Sequence, residues 1–198
     1  MTRGDRTTDG DHSRREFLRR TAIAGGMLLP FAIAGREVLA TPAEARAAGS
    51  PLQFFTSAEA TDLEVLAEAL VPGSTAAGIA HYLDQQLAGP PEASLLMGKY
   101  IGLQPPFGPF YRATLTAVRT ELAMGDGQPS ARATRLAQSL QGAFTGKPFE
   151  SWAGPPAGFA YFVLRSDAID VVYGTPEGFE RLGVPYMPHI LPPPGWGA

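Results

Sequence analysis

The chain has 198 residues, 44% hydrophobic and 18% charged, with a formal charge of −3, proportions that fit one globular domain. Cysteine is absent, which excludes disulfides, thiol-attached haem, thiolate iron–sulfur clusters and a lipoprotein anchor. Residues 1–47 hold eight Arg against six acids (net +2) and residues 48–198 hold eight Lys or Arg against thirteen acids (net −5), so the acidic body has no electrostatic footprint for nucleic acid or anionic lipid.

In chain order, the first element is a targeting segment. Ser13-Arg14-Arg15-Glu16-Phe17-Leu18-Arg19 resembles the twin-arginine translocation signal. Arg14, Arg15, Phe17 and Leu18 carry that resemblance, and Arg19 stands where the signal usually has lysine. Residues 21–34 follow as a mildly apolar stretch broken by Gly25, Gly26 and Pro30, and Ala45-Arg46-Ala47 offers small residues at −3 and −1 for a signal peptidase. Fourteen helical residues rise roughly 21 Å, short of the ~30 Å hydrocarbon core, which argues against a retained anchor. The expected organisation is a twin-arginine signal peptide over residues 1–47 and a single helical domain over residues 48–198. Such leaders carry proteins that fold before transport, so the translocase is a transient partner. The expected location is periplasmic, with membrane association only through partners.

The body reads as short helices separated by Pro/Gly punctuation. Thr56 with Glu59 three residues on forms a capping-box pattern. Leu63, Leu66, Ala67, Leu70 and Val71 repeat at the helical period until Pro72-Gly73 stops them. A second helix places Ile79, Tyr82, Leu83 and Leu87 on one face, and a short third segment carries Leu95, Leu96 and Tyr100. The strongest amphipath runs from Phe107 to Leu122, with Phe107, Phe110, Tyr111, Leu115, Val118 and Leu122 in one stripe. Ser130 is a candidate cap for the next helix, whose Ala133, Leu136, Ala137, Leu140 and Phe144 point inward. A last long helix spans about 158–173, with Phe159, Phe162, Val163, Ile169 and Tyr173, and a short one follows Thr175-Pro176. No strand alternation stands out. The expected fold is all-α, a compact bundle of short helices with a proline- and aromatic-rich C-terminal tail.

That tail, residues 183–198, combines five prolines with Tyr186, Met187, His189, Ile190, Leu191 and Trp196. Proline limits its internal hydrogen bonding, and the large apolar groups suit packing on a surface. Trp152, Tyr186, Met187, His189 and Trp196 are the candidate partner interface, since large amphipathic groups dominate protein–protein contacts. Closure of the bundle's own ends is an equal reading.

Chemistry-bearing constellations are sparse. His81 and Asp84 form at most a two-ligand face, and Glu64 and Glu68, with Asp62 nearby, lie opposite the leucine stripe as a solvated face. Asp167 and Asp170 flank Ile169, Asp170 nearer the apolar stripe. There is no Gly-x-Ser-x-Gly elbow or Walker loop, and the glycine-rich run at 154–158 contains prolines that remove amides needed for anion cradling. No catalytic, cofactor-binding or metal residue is assigned.

Two parts of the body carry a resemblance. One is Phe54-Phe55-Thr56-Ser57-Ala58-Glu59, leading through Leu66-Ala67-Glu68-Ala69-Leu70-Val71-Pro72 to Ala77-Gly78-Ile79 and Tyr82-Leu83-Asp84. The other is Tyr173-Gly174-Thr175-Pro176-Glu177-Gly178 followed by Leu182-Gly183-Val184-Pro185-Tyr186. Together with the leader, these resemble the gluconate 2-dehydrogenase subunit 3 family across most of residues 54–196. The Gly-Gly-Asn stretch of gluconate-type members is missing, as the chain has no Asn. The resemblance implies a non-catalytic accessory subunit that supports folding and export of an FAD-dependent catalytic subunit of the glucose–methanol–choline type. It implies no cofactor in this chain, FAD in the partner and haem c in a third, cytochrome subunit where one is present. A free-standing periplasmic binding or structural protein is the alternative, and an independent enzyme using Asp170, Glu68 or His189 is a third class.

Overall fold

The computed structural model describes residues 27–184. Its main body is helical, and a two-stranded hairpin precedes it. The hairpin corrects the all-α expectation. Strand β1 (Leu29–Ile33) pairs antiparallel with β2 (Arg36–Ala40), Phe31 opposite Val38 and Ile33 opposite Arg36. Pro30 cannot donate within a helix, and Ala34 and Gly35 both take positive φ (51° and 74°). Two such residues in succession make the tight loop whose twist matches that of the flanking strands.

Helix α1 (Pro42–Ala47) starts at Thr41, which forms a reciprocal capping box with Glu44. Helix α2 (Ser57–Leu70) starts in the same way at Thr56 with Glu59, as its sequence pattern indicates. Then come α3 (Ile79–Ala88), a 3-10 turn (Pro91–Ala93), α4 (Met97–Tyr100), α5 (Gly108–Met124), α6 (Pro129–Phe144), α7 (Ala157–Tyr173) and α8 (Pro176–Arg181). Helix α6 begins with Pro129 in its first turn and Gln128 as the cap, two residues before the expected Ser130.

The core gathers Leu63, Leu66, Tyr82, Leu83, Tyr111, Leu115, Val118, Leu140 and Val163. Helix α2 lies at its centre and touches α3, α5, α6 and α7. A smaller cluster of Phe31, Ala40 and Ala45 joins the hairpin to α1. Both elements rest on α3. Gly78, at the start of α3 with φ +82°, allows this approach: a Cβ there would lie 2.2 Å from the Pro42 carbonyl oxygen. Residues on both sides of the boundary expected after residue 47 thus pack together in the described structure. Among the described residues no helix is long and apolar enough to cross a membrane.

Candidate interaction surface

Three carboxylates hold the loops of the body, each by accepting backbone N–H groups. Asp84, nearly buried on α3, accepts from Gln53 and from Phe54 and Phe55, at 2.8, 2.9 and 2.8 Å. These bonds fold the segment before α2 so that Phe55 enters the core. Phe54 lies under the Arg112 guanidinium, 4.3 Å from its ring centroid. Glu68 accepts from the N–H groups of Gly73 and Thr75 at 2.7 and 2.9 Å, closing the turn between α2 and α3. Burial opposes its charged form, yet these two donors hold its carboxyl below the ordinary value.

Asp167 is fully buried on α7. Its two oxygens accept from the Met97 N–H at 2.8 Å and the Tyr111 hydroxyl at 2.6 Å, joining α4, α5 and α7. Burial pushes its carboxyl up to about 7 against those stabilising donors. Burial and the neighbouring carboxylate likewise push the Tyr111 hydroxyl well above its ordinary value. With both oxygens engaged and no solvent access, Asp167 is placed to brace helices rather than to meet a ligand.

The other sequence candidates are dispersed. Asp62 pairs with Arg119 at 2.7 Å and Glu64 with Arg46 at 2.8 Å. His81 places Nε2 3.1 Å from the Ser50 carbonyl oxygen, so that nitrogen carries the hydrogen. Among the described residues no group of three or more His, Asp or Glu is placed to hold a metal ion. Asp170, with its carboxyl pushed up by burial, lines a cavity of about 390 Å³ between Pro42, Ala77, Val171 and Arg181.

Trp152 is half-buried: it stacks on Phe149 with ring centroids 5.7 Å apart and donates from Nε1 to the Pro155 carbonyl at 2.5 Å. It therefore packs within its own loop. Arg14, Arg15, Phe17, Leu18, Tyr186, Met187, His189 and Trp196 lie outside the described residues.

The structure instead exposes an aromatic cluster that sequence reasoning missed. Phe144, at the end of α6, is 52% exposed, and Phe162 on α7 is 36% exposed. Their rings stack at 5.9 Å, and Phe144 also meets Tyr161 at 5.5 Å. Phe144 had been expected to point inward. It continues the Leu140 stripe, but the helix ends there and the chain departs along Lys147 and Phe149. On α7 polarity does not mark the core face, since Asp167 is buried while Phe162 is exposed. Ala160, Val163, Leu164, Ala168, Val171 and Val172 take the core, and Phe162 is left outside. A scan against protein-family models found no match, and searches of curated proteins and of solved structures found none either.

Proposed function

We propose that this chain is a non-catalytic accessory subunit of an exported FAD-dependent dehydrogenase of the gluconate 2-dehydrogenase type. In this reading it supports folding of the catalytic subunit and carries it to the twin-arginine translocase. The observation that carries the reading is a division of roles within the body. Asp84, Glu68 and Asp167 are engaged by backbone or tyrosine donors, whereas exposed Phe144 and Phe162 stack at the surface beside half-buried Tyr161. Clustered exposed rings mark protein contact more often than chance placement. The twin-arginine leader and the resemblance over residues 54–196 supply the class of partner. FAD belongs to that partner, and haem c to a cytochrome subunit where one is present.

Co-expression with a neighbouring flavoprotein tests the export half. Changing Arg14 and Arg15 together to Lys should leave both chains in the cytoplasm, read by fractionation and flavin absorbance. A partner that still reaches the periplasm would refute the escort role. The docking half is tested by Phe144→Ala with Phe162→Ala. Both rings are partly buried, so the thermal midpoint should fall somewhat while the monomer stays folded, which circular dichroism checks. Co-purification of the flavoprotein should fall roughly tenfold or more, as loss of an interface hot spot predicts. Recovery of a monomer with no flavoprotein from the native host would favour a free-standing periplasmic protein.

A further inference from the structure

We propose that residues 29–47 are retained in the working protein, as a clasp on its helical body, and are not released with the leader. The position of the expected cut rests on the twin-arginine reading above; the packing that opposes it does not.

A peptidase that reads small side chains at −3 and −1 must reach both. At the Ala47–Ala48 bond, the −3 residue is Ala45, which is 0% exposed and packs with Phe31 and Ala40. The backbone around the bond is also occupied. Ala48 N–H donates to the Glu44 carbonyl at 2.9 Å, Gly49 to Arg46 at 3.1 Å and Ser50 to Ala45 at 2.9 Å. Presenting this bond in extended form would require α1 to unwind.

Further contacts resist that unwinding. The Thr41–Glu44 capping box closes the start of α1. Arg46 pairs with Glu64 of α2 through two nitrogens, at 2.8 and 3.4 Å. Buried Pro42 lies against Gly78, which has no Cβ to obstruct it. Upstream, Ser50 donates from its hydroxyl to the Ala32 carbonyl at 3.0 Å. The ring of Phe31 meets His81 edge-on at 6.5 Å, and His81 in turn donates to the Ser50 carbonyl. Removing residues 1–47 would strip the Phe31–Ala45 cluster from α3. It would also take away the carbonyl that Ser50, buried in the described structure, uses as acceptor. A leader for folded cargo therefore meets its peptidase with the expected site closed. Any cut compatible with this packing lies before Leu29.

The test is the intact mass of the full chain, expressed in a bacterium with working twin-arginine export and recovered from the exported fraction. The inference expects an N-terminus at or before residue 29. An N-terminus anywhere between residues 30 and 48 would overturn it. A second arm is independent of export and compares chains purified from the cytoplasm. A chain beginning at Ala48 should melt at least about 5 °C below the full chain, or fail to fold. Ala45→Glu in the full chain should also lower the midpoint, because Glu is nearly as good a helix former as Ala and only the burial changes. Equal midpoints for all three chains would sink the clasp. If the chain is never exported, the twin-arginine reading fails, and the second arm alone decides the inference.

Discussion

Replacing Asp84 with alanine should lower folding stability by about 3–5 kcal/mol, read as a lower urea midpoint with an unchanged slope. The size follows from what the carboxylate holds. Three consecutive backbone N–H groups, from Gln53 to Phe55, converge on its two oxygens. Asp84 is itself buried, Phe55 is buried and Phe54 half-buried, while Gln53 is exposed. Without Asp84 these donors keep their desolvation cost and lose their acceptor, and Phe55 loses the loop that directs it into the core. Asp84→Asn keeps one oxygen and should lose about half as much. A loss below about 1 kcal/mol for the alanine variant would mean that the loop is held by its side chains rather than by this carboxylate.

The second large effect is a pH dependence centred on Asp167. Its carboxyl is pushed up from 3.8 to about 7 in the folded protein, chiefly by burial. The sign follows from proton counts. Below about pH 4 both folded and unfolded states hold the proton, and this group's contribution to stability is fully present. Between about pH 4 and 7 the unfolded state releases the proton and the folded state keeps it, so stability falls as pH rises. Above about 7 both states are ionised and the fall levels off. The total is on the order of a few kcal/mol. In Asp167→Asn the amide oxygen can accept from Met97 and the NH2 can donate to the Tyr111 oxygen, so the core keeps its contacts and loses the titration. Urea midpoints at pH 4, 5.5 and 7 should decline for the parent relative to Asp167→Asn. Parallel curves would show that Asp167 does not titrate in that window.

Much of the helical body was legible from periodicity and local caps. The Thr56–Glu59 capping box stands where the residues put it. The stripe through Tyr111, Leu115 and Val118 is buried as expected, and α7 runs within one residue of its expected start. Those features depend on neighbours three or four positions apart, which a sequence displays directly. The misses have other causes. The hairpin was missed because nothing in Ala34-Gly35 advertises a turn as Asn-Gly would. The bracing roles of Asp84 and Asp167 were not legible, because the backbone donors they meet lie about 30 and 70 positions away. The exposed Phe144–Phe162 stack required knowing where α6 ends against α7, a tertiary fact with no local signature.

The seating of the hairpin and α1 on α3 has a further consequence. Within the described body their principal neighbour is α3, which is itself held by α2 and α7. Order at the front of the chain is thus conditional on order behind it: whatever dislodges α3 also frees Phe31 and Ala45. The free energy needed to lift the hairpin cannot exceed that needed to displace its support. In the described structure the hairpin and α1 therefore lie flat only on a body that has finished folding.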